Sequence, residues 1–207
     1  MSEDEQNVDQ ADEVFFHDAD SGEPSFAASS RSGRRRVVAI LVVVALVVGG
    51  YFLFHQLTKK SDLLKIQGKV ALSESGLRSI VGAKHLVVYW AGPQAGAKYS
   101  LVATATGIAY VRYLPEGKGL SDTKNAYKAI GTYVQKGAFS VNQSSGRAAG
   151  NVGFTNVDGN AVFYAKSRPT NVYMGIKGKD IQIEIFDPLV DQALGVALIR
   201  NQVSQIK

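Results

Sequence analysis

Residues 171–188 read NVYMGIKGKDIQIEIFDP. Two short runs, 171–176 and 181–186, flank Gly178-Lys179, and in the second run Ile181, Ile183 and Ile185 alternate with Gln182 and Glu184. A period of two on either side of a glycine-bearing pair is the pattern of a β-hairpin with one apolar face. Asp187 and Pro188 end the hairpin and open a C-terminal helix carrying Leu189, Leu194, Leu198 and Ile199.

Working outward, runs 151–157 and 160–166 flank Asp158-Gly159, a two-residue turn signal that sets Phe154 opposite Phe163. Ahead of them lie a strand over 129–134 and a helix over about 137–149. Further upstream, Ser73 and Glu74 open a helix that runs to about Ala83, with Leu77, Ile80 and Val81 at helical spacing. A buried strand over 86–90 follows, then a hairpin of 99–105 with 108–113 across Thr106-Gly107. Pro115 ends it, before a polar loop over 116–125. The expected fold class is α+β: one mixed domain of antiparallel hairpins with about three helices, preceded by a single transmembrane helix. The two halves share an order of helix, strand, hairpin and proline. Laying Pro115 on Pro188 lays Tyr113 on Phe186, Ile108 on Ile181 and Trp90 on Phe163, the pattern of two pseudo-repeated halves.

The charge of the chain is unevenly divided. Residues 1–30 hold nine Asp or Glu and no Lys or Arg, whereas residues 61–207 hold 17 Lys or Arg against 9 Asp or Glu, a balance of +8. Between them, Arg31 and Arg34 to Arg36 precede eighteen residues, 37–54, without a charge. As a helix that run is roughly 27 Å long, close to the ~30 Å of a bilayer's hydrocarbon. Tyr51 and Phe52 sit where an interfacial aromatic belt belongs. The exit sequence at 54–57 has no small-residue cleavage site, so an uncleaved anchor is expected rather than a signal peptide. The expected organisation is a disordered acidic cytoplasmic tail with a basic end over 1–36, a transmembrane helix over 37–54, a linker over 55–72 and an extracytoplasmic α+β domain over 73–207. Tail composition cannot repay the entropy of folding, and the arginine cluster holds it in the cytoplasm.

Chemistry-bearing motifs are sparse. The chain has no cysteine, so no disulfide framework or thiolate metal site is available, and no metal or cofactor is expected. His85 is the one histidine after residue 55, and no G-x-S-x-G elbow accompanies it. It reads as a surface residue at the start of a strand. Glu184, Asp187 and Asp191 are the nearest approach to an acidic cluster, with the last two expected in the first turn of the final helix, where the dipole favours them. Residues 91–98 hold two glycines and a lysine, but Pro93, Ala97 and Tyr99 depart from the phosphate-loop spacing, so a plain connection is expected. The candidate ligand surface is the basic, tyrosine-rich hairpin: Lys98, Tyr99, Tyr110 and Arg112. Aromatic faces stack on sugars, and arginine pairs anions. Alternation puts Tyr110 and Arg112 on one face and Tyr113 on the other.

The segments Val88-Tyr89-Trp90-Ala91-Gly92-Pro93, Tyr110-Val111-Arg112-Tyr113-Leu114-Pro115 and Gly131-Thr132-Tyr133 resemble motifs of an uncharacterised family of single-pass actinobacterial membrane proteins. Residues 167–173 and 182–188 resemble that family's second half. The resemblance implies an envelope location and brings no activity or catalytic residue with it. The expectation is therefore a membrane-tethered, non-enzymatic domain of the cell envelope. It would bind another envelope protein or an anionic polymer, and no nucleic acid. Alternatives are an envelope enzyme or carrier acting on a cell-wall or lipid intermediate, and an assembly factor for a membrane complex.

Overall fold

The computed structural model describes residue 64, residues 70–122 and residues 126–207; the acidic tail and the apolar run at 37–54 lie outside the described residues. No described helix is long and apolar enough to cross a membrane. The described residues form a mixed α+β domain with antiparallel sheets and three helices.

The chain begins with α1 (Glu74–Ala83), a two-residue β1 (Tyr89–Trp90), β2 (Lys98–Ala103), β3 (Ala109–Leu114) and β4 (Ala129–Val134). It continues through α2 (Ala138–Gly146), β5 (Asn151–Thr155), β6 (Ala161–Ala165), β7 (Asn171–Gly175), β8 (Ile181–Phe186), α3 (Gln192–Leu198) and β9 (Ser204–Gln205). Seven strands make one antiparallel sheet in the order β2-β3-β4-β8-β7-β6-β5, and β1 pairs with β9 in a separate ribbon. α1 starts where the sequence signals it: the Ser73 hydroxyl accepts from the Gly76 amide at 3.1 Å, and Arg78 pairs with Glu74 one turn away at 2.9 Å.

One face of the sheet carries the main apolar core. Leu101, Val111, Ile130, Ile183, Ile185, Val172 and Met174 meet Leu77 and Val81 of α1, Trp90 of β1 and Ala193 and Ala197 of α3. α2 takes the opposite face, over β5, β6 and β7, and it sits unusually close. A Cβ on Gly153 would lie 2.4 Å from Gly146 Cα, and one on Gly175 would lie 2.5 Å from the Ala138 carbonyl oxygen. Both contacts are to backbone, so only glycine lets the helix approach this far.

Two turns are longer than the sequence signals. At 156–160 the Asn156 side chain accepts from the amides of Asp158 and Asn160, closing a three-residue loop with Gly159 at φ 79°. At 104–108 Thr104 Oγ1 accepts from the Ile108 amide, with Gly107 at φ 82°. Each extra residue shifts the pairing by one. Phe154 therefore faces Val162, and Gly153 faces Phe163, in place of the expected Phe154–Phe163 pair. The Gly178-Lys179 turn keeps the register read from the sequence, with Asn171 opposite Phe186.

Other expected elements change extent. The strand over 86–90 shrinks to Tyr89–Trp90, and α3 starts at Gln192, so Asp187 lies before it. Asp187 is buried, accepts from the Leu189 amide at 3.0 Å and lies 4.0 Å from Lys128. Laid on one another by the two prolines, Val111 would match Glu184, yet in the sheet Val111 shares its row with Ile130 and Ile185.

The close seat of α2 predicts opposite outcomes for two alanines. Gly175→Ala should lower stability by about 1–3 kcal/mol or more through overpacking. Gly195→Ala, where a Cβ meets nothing within 4 Å, should raise it by up to ~1 kcal/mol through helix propensity. Thermal melts of the two variants beside the parent chain decide this; equal melting temperatures would refute the account of the helix seat.

Candidate functional site

β8 is the most enclosed strand of the sheet, with Ile181 to Ile185 all buried. Its isoleucines enter the main core, so Gln182 and Glu184 must face α2's side, where a carboxyl group needs hydrogen-bond partners. Neighbouring strands supply them. Tyr133 of β4 donates to Glu184 Oε2 at 2.5 Å; Asn171 and Tyr173 of β7 donate to Oε1 at 2.8 and 3.3 Å. Tyr110 of β3 then shares a hydrogen bond with the Tyr133 hydroxyl at 2.8 Å. The reason four strands converge is the register. Tyr110, Gly131, Glu184 and Tyr173 occupy one row, and Tyr133 stands two residues further along β4.

Gly131 makes the crossing of the rings possible. A Cβ there would lie 3.0 Å from Tyr133 Cε2 and 3.1 Å from Tyr110 Cε1. Over this gap the two rings meet edge to face, 5.7 Å between centroids at 88°. Both rings are half-buried, while the Tyr133 hydroxyl is enclosed between Glu184 and Tyr110.

The electrostatics follow from this enclosure. Burial, with the charge of Glu184 adding to it, pushes the Tyr110 hydroxyl up to about 12; the hydrogen bond from Tyr133 opposes part of that rise. The same two causes, burial first, drive Tyr133 and Tyr173 well above the ordinary tyrosine value. Across the sheet, burial likewise raises Tyr113, whose hydroxyl accepts from the Ala91 amide and donates to the Gly92 carbonyl.

Of the four residues singled out by sequence, three share this face. Lys98 is exposed, and the pairings Lys98–Leu114, Ser100–Arg112 and Val102–Tyr110 put it on the side of Arg112 and Tyr110. Tyr99 is parted from them: it is 1% exposed, packs edge-on against Trp90 and Tyr113 in the main core, and accepts from the Gln94 amide. Arg112 is tied down by the β3–β4 connection. Its guanidinium donates to the Asp122 carbonyl and lies over the Tyr127 ring at 5.8 Å, and Tyr127 donates to Asp122 Oδ2 at 2.6 Å.

Sequence reasoning set Glu184 aside as structural and overlooked Tyr133 and Tyr173. The available signal was the alternation in 181–186, which forces one carboxyl onto the non-isoleucine face of a strand flanked on both sides. His85, read from the sequence as a surface residue at the start of a strand, is exposed at φ 51° in the turn after α1, which packs on the core face, whereas Glu184 faces the other way. No group of three or more potential metal ligands occurs among the described residues. Comparison with protein-family models, curated proteins and solved structures returned no match to this chain.

Two outcomes test the cluster. Glu184→Gln turns an acceptor oxygen into an NH2 facing Tyr133 or Asn171, and should cost about 1–3 kcal/mol, read by denaturant melts. The second is alkaline unfolding. Folded tyrosines with raised pKa hold protons that the unfolded chain releases near pH 10, so stability is complete below that pH and falls as pH rises beyond it. Absorbance of tyrosinate at 295 nm should rise for these residues only as the fold is lost; independent titration of every tyrosine near pH 10 in the folded chain would refute the enclosure.

Proposed function

We propose that the chain is a non-enzymatic interaction module of the cell envelope. Residues 37–54 anchor it, with the acidic tail in the cytoplasm and the α+β domain outside. The domain docks another envelope protein or an anionic envelope polymer on the sheet face beside α2. The observation that supports this reading is the half-open patch of Tyr110, Tyr133 and Arg112, each held by at least one partner before any ligand arrives. Tyrosine and arginine are the residue types that dominate binding energy at interfaces. Side chains already fixed in place lose little further entropy on binding.

Proton chemistry is a poor fit to the same residues. Both oxygens of Glu184 are occupied by donors, and Tyr110 keeps its proton up to about 12. A useful general acid or base titrates near the working pH. Such a cluster holds shape. The +8 balance of residues 61–207 favours an anionic partner, steered by long-range attraction.

The test is retention of envelope components by the full chain purified in detergent, beside a charge-matched control protein. Tyr110→Ala and Arg112→Ala should each weaken retention by roughly tenfold or more if they are central to the interface, while Lys166→Ala, at an exposed loop position, should not. Retention no greater than the control's, or equal for all three variants, would rule the reading out.

A further inference from the structure

One end of the sheet gathers features that the docking face does not use. The Leu64 amide donates to the Ala103 carbonyl at 2.9 Å, so the chain joins the domain at the end of β2 that opens into the 104–108 turn. Antiparallel pairing brings the turns at 135–137, 156–160 and 177–180 to that same end, since Ala103 pairs Ala109, Val134 pairs Ile181, and Ala161 pairs both Gly175 and Thr155. The C-terminal end of α3 joins them, because Asn156 Nδ2 donates to the Ala197 carbonyl and the Asn201 amide donates to Asp158.

These turns form a continuous rim. Val134 lies against Gly107, where a Cβ would come within 2.9 Å of it. Asp180 accepts from the Gln135 and Gly137 amides, each at 2.8 Å, and the Lys177 amide donates to Asn160 Oδ1 at 3.0 Å. Along the rim stand Val134, Val157, Leu198 and Ile199, exposed by 58, 53, 46 and 57%. Lys136, Lys177 and Arg200 are exposed among them, Lys179 reaches back to donate to the Tyr89 hydroxyl at 2.9 Å, and the two acids present, Asp158 and Asp180, each accept an amide hydrogen bond. Large exposed apolar side chains ringed by long cationic ones are what an interfacial surface requires: the apolar groups enter the headgroup boundary and the cations reach lipid phosphates.

Chain length places this rim within reach of a bilayer. Leu64 follows the last residue of the apolar run, Phe54, by ten residues, a contour of at most about 35 Å. We infer that this rim, Val134, Val157, Leu198 and Ile199 with their flanking lysines, lies on an anionic lipid surface, so that the opposite end of the sheet points away from the bilayer. The inference rests on the anchor assigned to residues 37–54. Each cation near an anionic surface adds to the attraction, an effect multiplied by tethering.

The chain has no cysteine, so single labels can be placed at will. The full chain carrying Val134→Cys, Val157→Cys or Ile199→Cys at the rim, or Glu116→Cys or Lys166→Cys at the opposite end, is labelled with bimane. It is then reconstituted in vesicles of phosphatidylcholine with phosphatidylglycerol. Doxyl-lipid should quench the rim labels at least about twofold more than the distal ones, as expected for groups at the acyl boundary, and less so in pure phosphatidylcholine. Equal quenching at both ends would overturn the proposal, and equal rim quenching in the two lipid mixtures would overturn its anionic component. Flotation after an alkaline carbonate wash reads the anchor separately. Protein stripped from the vesicles refutes the tether itself, whereas protein that floats with unquenched rim labels refutes only the rim.

Discussion

The pairing of β4 with β8 is the constraint on which the domain depends. It runs from Ala129 opposite Phe186 to Val134 opposite Ile181 and stitches the β2-β3 hairpin of the first half to the β5–β7 strands of the second. Enclosed by β4 on one side, β7 on the other and packed layers above and below, β8 has no solvent-facing side. Its isoleucines satisfy that condition by themselves, whereas its polar residues can satisfy it only through partners. The Glu184 network is thus a consequence of where β8 sits, and the tyrosines of β3, β4 and β7 are the partners that the row geometry makes available.

A second consequence concerns α2. The helix approaches the sheet at backbone distance through Gly146, Gly153 and Gly175, so it covers β5 to β7 tightly and leaves the β3–β4 side of the same face to Tyr110, Tyr133 and Arg112. Asn142, on the buried face of α2, donates to the Ala138 carbonyl and to Gln182, while its Oδ1 has no partner among the described residues. Close backbone packing on one half of the face and half-open aromatic packing on the other divide it into a structural part and an accessible part.

Legibility in the sequence varied with the range of the interactions involved. α1 was readable to the residue, because Ser73 and Glu74 act through neighbours one turn away. β4 and the β7–β8 hairpin were readable because their alternation and turn are local as well. The β2–β3 and β5–β6 registers were not, because the side-chain oxygens of Thr104 and Asn156, by accepting amide hydrogen bonds across the loop, lengthened turns that the dipeptide signal alone makes shorter. The apolar residues expected to bury α3 also fell differently: Ala193 and Ala197 are buried, while Leu189, Leu198 and Ile199 are exposed. Nothing local distinguishes a leucine that finds a core from one left at a rim.

The candidate site divides in the same way. Alternation alone put Tyr110 with Arg112 and turned Tyr113 away, and both statements describe the folded sheet. That Tyr99 serves the core, that Tyr133 and Tyr173 join a carboxyl two strands from Tyr110, and that Gly131 clears the space between rings were decided by tertiary structure. Composition and periodicity determined the mixed class, the hairpins and the charge asymmetry, since these depend on residues within a few positions of one another. Strand order, row and face depend on which distant segments share a backbone hydrogen bond, and that information exists only once β4 has met β8.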